Sequence, residues 1–360
     1  MNIFYDARYI RTDFHDGISR YTAELGSAFA REQDVTFIIH DPKQLDFLPK
    51  DCTYVLFHDP TSWREPFSAL YLNKHQPDVV FSPMQTMGSL GRKYKLILTL
   101  HDLIYYRHRT PPQHMPGLIR LGWRIFHWTY WPQRWLLNGA DIVATVSETS
   151  KQAILDAKLT KRDIIVIPNA PQSLAKLLDK PTSISISPTN LVYMGSFMPY
   201  KNVECLIKGM GKLPGYTLHL LSRIKPDRQS ALQALAPSGS AVVFHNGVSD
   251  KQYAELLANE ALLVSASLDE GYGLPLAESL GLGVPAVVSD LEIFHEVAGE
   301  GAIYFNPHQP DHFANAVLTA AEPSTYRALS EKGRAHISRF TWQQSAQKLQ
   351  QAINQLTSNR

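Results

Sequence analysis

The sequence predicts two α/β domains, each a parallel sheet covered by helices, and three observations carry that expectation. Short β-branched apolar runs alternate with stretches of helical period along nearly the whole chain. The alternation breaks once, in a tract rich in Pro, Ser and Thr near the middle. The length of 360 residues suits two or three domains of ~100–200 residues each.

In the first half, strands are expected at 2–5, 35–40, 54–57, 79–82, 96–100, 142–146 and 164–167. Between them lie helical patterns, such as Ile18, Tyr21, Leu25 and Phe29 on one face. Residues 168–190 form the linker tract. Beyond it strands are expected at 191–194, 217–221, 242–245, 262–266, 286–289 and 303–305, and helices carry the chain from about 310 to its end. The boundaries read as a first domain over 1–170, a linker over 171–189, a second domain over 190–340 and a terminal helix over 341–360. No internal repeat or low-complexity tract interrupts this order.

Composition narrows the classes. Hydrophobic residues make up 44% and charged residues 19%, a folded rather than a disordered balance. With 35 basic and 33 acidic residues the formal charge is only +2, which argues against a nucleic-acid binder. No apolar run approaches the ~20 residues that span a bilayer. The start, MNIFYDARYIR, lacks the apolar core of a secretory signal. Cys52 and Cys205 are too few for a disulfide or zinc framework. The chain reads as cytoplasmic.

In open parallel sheets ligands bind beyond the carboxyl ends of the strands. In the first half those ends carry Asp6-Ala7-Arg8, Ser82-Pro83, His101-Asp102, Ser147-Glu148 and Asn169. In the second they carry Gly195-Ser196, Ser222-Arg223, Asn246-Gly247, Asp269-Glu270-Gly271 and Ser289-Asp290. Two such polar edges facing each other would make an interdomain cleft. The densest signal runs from Ser267 to Glu278. It holds a Gly-x-Gly turn followed by Pro275 at a helix start, where free amides and the helix dipole suit an anion. Glu270 and Glu278, with seven residues between them, read as two contacts to one extended ligand rather than as an acid–base pair.

This string resembles the Glu-x7-Glu signature of the retaining GT-B glycosyltransferases of family four. Supporting matches follow in order: Gly17-Ile18-Ser19-Arg20-Tyr21, Leu100-His101-Asp102-Leu103-Ile104, Thr145-Val146-Ser147-Glu148, Ile167-Pro168-Asn169, the G-x5-K segment Gly195 to Lys201, and Phe244 to Asp250. The resemblance implies a GT-B architecture, with two Rossmann-like domains facing across a cleft and a C-terminal helix packing back toward the first domain. It also implies a nucleotide-sugar donor and a glycan or lipid-linked acceptor.

By that resemblance Lys201 would neutralise the diphosphate as a flexible point charge. Glu278 would take the ribose hydroxyls, and Glu270, with the amides around Gly273 and Leu274, would fix the transferred sugar. Backbone around Val248 would contact the base. In the first domain Gly17 would let the backbone approach the diphosphate, and His101 would meet the sugar near the reacting carbon. One position departs from the pattern: Ser196 stands where the family commonly has arginine. Arg8, Arg20 and Arg223 are the candidates for supplying that charge. No Asp-x-Asp occurs, so no metal and no separate cofactor is expected. The donor lean is to GDP-mannose over a UDP-hexose. A nucleotide-sugar epimerase and a non-catalytic nucleotide-sugar binding protein are the competing readings.

Residues 103–140 hold five arginines, no acidic residue and four of the six tryptophans. Two readings stand for this stretch. Arg120, Trp123 and Arg124 could face an acceptor or the anionic surface of a membrane at its inner face. Alternatively the tryptophans pack against the sheet and the arginines face water.

Overall fold

The computed structural model describes residues 1–13, 16–111, 117–179 and 188–358. The chain forms two compact units, Met1–Asn169 with Thr341–Arg360, and Ala170–Phe340. In chain order the first contains β1 (Ile3–Asp6), α1 (Gly17–Phe29), β2 (Val35–Ile39), β3 (Thr53–Leu56), α2 (Ser68–Leu72), β4 (Val79–Ser82), β5 (Lys95–Thr99), α3 (Ile104–Arg107), α4 (Gly117–Phe126), α5 (Trp131–Asn138), β6 (Ile142–Thr145), α6 (Glu148–Asp156) and β7 (Asp163–Val166). All pairings in this sheet are parallel, in the order β3-β2-β1-β4-β5-β6-β7.

The second unit contains β8 (Asn190–Tyr193), α7 (Val203–Gly209), β9 (Thr217–Leu220), α8 (Pro226–Gln233), β10 (Ala241–Phe244), α9 (Asp250–Ala258), β11 (Ala261–Ser265), α10 (Leu274–Leu282), β12 (Ala286–Ser289), α11 (Glu292–Ala298), β13 (Ala302–Phe305), α12 (Pro310–Ala321) and α13 (Pro323–Ile337). Its parallel order is β10-β9-β8-β11-β12-β13. The last helix, α14 (Trp342–Ser358), returns to the first unit and packs on α1.

Every expected strand is present to within one residue at either end. The reason is burial. Central strands such as β4 (Val-Val-Phe-Ser) and β12 (Ala-Val-Val-Ser) are covered on both faces, so their sequences are almost continuously apolar. The edge strand β3, by contrast, leaves Tyr54 and Leu56 exposed. Within the tract expected to be a linker, Ala170 and Leu174 are buried and a 3-10 turn at Leu174–Leu177 packs against α9 and α10. Residues 180–187 of that tract lie outside the described residues.

The return of α14 rests on its apolar stripe, with Ala346, Leu349, Ala352 and Ile353 buried. Thr341 Oγ1 accepts from the Gln344 amide at 3.2 Å and so caps the helix. Buried Ser345 donates to the Pro168 carbonyl at 2.7 Å, and the Trp342 ring lies edge-on to Tyr21.

Candidate functional site

In each sheet the strand order reverses once, at β1/β4 in the first and at β8/β11 in the second. Chain connections diverge there, and the crevice left beyond the carboxyl ends is where open α/β sheets take ligands. In the second unit the two loops at that point are 194–202 and 266–273. The Leu268 amide donates to the Tyr200 carbonyl at 2.7 Å, which ties the loops together. Lys201 ends a 3-10 turn, and Asn202 then takes the left-handed conformation at φ 50°. The Asn202 side chain holds that turn by donating to the Pro307 carbonyl at 2.7 Å.

This scaffold brings Lys201 Nζ to 2.5 Å from Glu270 Oε1, with both side chains largely buried. Ser267 Oγ donates to the same carboxylate oxygen at 2.9 Å. Gly195 and Ser196 lie on the same side of the unit: the Gly195 amide donates to Ser222 Oγ at 3.2 Å, and Tyr193 donates to the Ser196 carbonyl at 2.7 Å. The Ser196 side chain is exposed. Ser267 and Ser222 stood in the sequence only as the first residue of the densest string and as a strand-end residue, with no role given to either hydroxyl. Their only sequence signal is a hydroxyl just past a strand end.

α10 begins at Leu274 behind Gly273, which sits at φ 91°. A Cβ there would fall 2.9 Å from Phe294 Cε1, so both conformation and space require glycine. No side chain among the described residues caps this helix. Its first amides therefore remain directed out of the N-terminus, with the positive end of the dipole. Glu278 is buried one turn further along, as the fifth residue of α10. On the other side of the crevice, half-buried Val248 follows Asn246 and Gly247, both at positive φ. Arg223 is exposed and its side chain packs over Gly247, while the Ile224 amide donates to Asn246 Oδ1 at 3.0 Å. Arg223 thus lies beside the Val248 loop.

The first sheet treats its reversal differently, and here one expectation is corrected. Arg8 is fully buried. Its Nε and Nη2 contact Asp6 at 2.8 and 3.0 Å, and its Nη1 and Nη2 contact Glu65 at 2.8 and 2.9 Å. A further bond to the His58 carbonyl at 3.2 Å uses the fifth guanidinium hydrogen. Arg8 therefore has no donor left for a diphosphate, and it does not replace the arginine missing at Ser196. Ser82 donates to Asp6 Oδ2 at 3.0 Å and His58 Nε2 lies 2.9 Å from Glu65. Burial pushes the Glu65 carboxyl up to about 7 against the pull of Arg8. Burial and the Arg8 charge hold His58 down at about 4.

His101 stands two residues past β5. Its Nε2 lies 2.8 Å from the Pro83 carbonyl, and since a carbonyl only accepts, Nε2 carries the hydrogen and Nδ1 is the acceptor. Burial lowers its pKa; the Pro83 bond, Asp102 and Asp16 oppose that. Asp102 turns its own loop by accepting from the Ile104 amide at 2.9 Å. Gly17 is the exposed first residue of α1, capped by Asp16 through the Ser19 amide at 2.9 Å, and Arg20 is half-buried in the same turn.

In the basic aromatic stretch the reading of packed tryptophans is overturned for three of the four. Trp128, Trp131 and Trp135 are 71%, 69% and 59% exposed. Trp123 is half-buried, stacked on His127 at 4.1 Å between ring centroids and edge-on to Tyr105. Arg124 is exposed and Arg120 half-buried. Among the described residues no group of three or more His, Cys, Asp or Glu is placed to hold a metal ion, and no helix is long and apolar enough to cross a membrane.

Comparison with known proteins adds independent observations. Residues 15–170 match the family model described as Glycosyltransferase Family 4, and residues 188–322 match Glycosyl transferases group 1. O-antigen chain mannosyltransferase B of Escherichia coli is 24% identical over 270 residues, covering 70% of this chain and 68% of that enzyme. The serotype-specific mannosyltransferase WbdA of Escherichia coli is 24% identical over 229 residues, and the match spans 58% of this chain but only 28% of WbdA. Among solved structures, sucrose-phosphate synthase from Thermosynechococcus elongatus superposes with a TM-score of 0.76 at 18% identity, covering all of both chains. Two consecutive family models and a full-length match of the fold agree with the site motifs: the chain belongs to the family-four glycosyltransferases of GT-B architecture.

Proposed function

We propose that this glycosyltransferase moves a hexose from a nucleotide-diphosphate sugar to a hydroxyl of a glycan or lipid-linked acceptor, with retention of anomeric configuration. GDP-mannose is put ahead of a UDP-hexose, on the strength of the mannosyltransferase relatives. The observation that carries the reading is the meeting of Lys201, Glu270 and Ser267 beside the uncapped start of α10, at the strand reversal of the second sheet. One cation and a set of helix-start amides suit a diphosphate. A carboxylate held by Lys201 and Ser267 is oriented to accept from sugar hydroxyls.

In the reaction the bond between the anomeric carbon and the diphosphate oxygen breaks, and its electron pair leaves with the nucleoside diphosphate. Lys201 and the amides at Gly273 and Leu274 stabilise that developing charge, which is electrostatic catalysis. The acceptor oxygen bonds to the anomeric carbon from the same face, and its proton passes to the departing phosphate. Glu270 holds the sugar, Glu278 the ribose and the Val248 backbone the base, while His101 and Gly17 act from the first unit. With Arg8 engaged, Arg223 and Arg20 remain the candidates for the charge absent at Ser196. The two glutamates have no glycosidase role.

A thermal-shift panel of GDP, UDP, ADP and their hexoses tests the donor, since a ligand of the folded state raises its melting temperature by mass action. GDP and GDP-mannose should give the largest shifts. Transfer of labelled mannose to a glycan acceptor, with an α-linkage from the α-configured donor by NMR, completes the test. Donor turnover without acceptor would indicate the epimerase, and binding without turnover the non-catalytic protein. No shift with any nucleotide would overturn the reading.

A further inference from the structure

The surface of α4 and α5 has an exposure pattern that neither the fold nor the transfer chemistry requires. Leu121 and Ile125 on α4 are 55% and 60% exposed, and Trp128, Trp131 and Trp135 continue the series. Leu121 and Ile125 stand four residues apart on α4 and Trp131 and Trp135 four apart on α5, with Trp128 in the turn between the two helices. A soluble surface scatters its apolar side chains singly, and five large exposed ones within fifteen residues mark an interaction site. Leu90, also exposed, joins the far end, where Ser89, Leu90, Gly91, Trp131, Trp135 and Asn138 line an open groove of about 690 Å³.

We propose that this exposed apolar surface docks the enzyme on a bilayer containing anionic lipid, with Leu121, Ile125, Trp128 and Trp131 entering the interface. Three occupants compete, and the side chains separate them. A second copy of the chain would set Arg124 against a surface that offers it no partner, because residues 103–140 contain no acid. A saccharide would suit the indoles, but Leu121, Ile125 and Leu90 offer it no hydrogen bond. A bilayer takes all of them: aliphatics enter the acyl boundary, tryptophans lie at the headgroup level and arginines face lipid phosphates. Arg124 is exposed on α4 itself. Arg134, also exposed, donates to the Ala157 and Lys158 carbonyls at 3.0 Å and so caps α6, which braces α5. This names the surface partner of the transferase and rests on the reading above only for its purpose, the capture of a lipid-linked acceptor.

Flotation of the full chain with vesicles tests the proposal. Vesicles of phosphatidylcholine with about a third phosphatidylglycerol should carry the protein at low salt, while pure phosphatidylcholine should carry little. Trp128→Ser combined with Ile125→Ser should lower partitioning by about tenfold or more. Because both side chains are exposed, melting temperature and transfer to a soluble acceptor should stay unchanged. Arg124→Ala should weaken binding and flatten its salt dependence. Failure of the wild type to float at low salt overturns the proposal, as does undiminished flotation of the double variant. A dimer in light scattering that the double variant abolishes, without vesicle binding, also overturns it. Loss of saccharide binding in that variant, again without vesicle binding, does the same. Transfer to a soluble acceptor reports on the enzymatic reading separately, so either can fail alone.

Discussion

Lys201 and Glu270 stand 69 residues apart in sequence and 2.5 Å apart in space, because the Leu268–Tyr200 backbone bond joins their loops. A charge-assisted bond to a phosphate contributes about 1.5–3 kcal/mol. Lys201→Ala should therefore weaken nucleoside-diphosphate binding by about 10- to 100-fold in a calorimetric titration. At His101 the pH dependence follows from the depressed pKa. The ring stays neutral below the ordinary histidine value of 6.5, so any acid limb of kcat/KM owed to it should lie under pH 6.5 and vanish in His101→Asn. Glu65 gives the opposite sign. Its folded pKa of about 7 exceeds the ordinary value of 4.5, so the folded state binds more protons between those pH values and this group's contribution to stability falls as pH rises through them. The melting-temperature difference between wild type and Glu65→Gln should shrink accordingly from pH 5 to pH 8. These residues were unequally legible. Lys201, Glu270 and Glu278 announce themselves by spacing, whereas Arg8 looked like any strand-end arginine. Its partner Glu65 lies 57 residues away, and no local pattern signals that a buried guanidinium has spent every donor.

At the scale of elements, the strands were legible because parallel strands covered on both faces cannot hide their apolar runs. The start of α10 was legible for a different reason. Gly273 must adopt φ 91° against the Phe294 ring, and that requirement shows in the sequence as a glycine two residues before a proline. Gly273→Ala should cost about 1–3 kcal/mol in denaturant unfolding of the second unit and should weaken donor binding in parallel. α14 is held by its buried stripe, so Leu349→Ala should destabilise the first unit by about 2–5 kcal/mol. The orientation of α4 and α5 was not legible. Their sequences carry apolar residues around much of the helix, so periodicity alone could not say which tryptophans face the sheet. Trp123 is half-buried and the next three tryptophans are exposed.

For the molecule as a whole, two sheets of the same parallel type carry different chemistry at the same topological place. The reversal of the first is filled by Asp6, Arg8, Glu65, His58 and Ser82, which bond to one another. The reversal of the second presents Lys201, Glu270 and the amides of α10. That difference is the electrostatic ground on which the donor is proposed to bind the second unit. The near-neutral total of +2 gave no hint of either, because opposite charges concentrated in small regions cancel in the sum. The most direct test of this assignment is calorimetric titration of GDP-mannose into wild-type, Lys201→Ala and Arg8→Lys proteins, each first shown to be folded. The account predicts that Lys201→Ala loses at least about tenfold in affinity while Arg8→Lys binds as the wild type does. Undiminished binding by Lys201→Ala, or loss confined to Arg8→Lys, would contradict it.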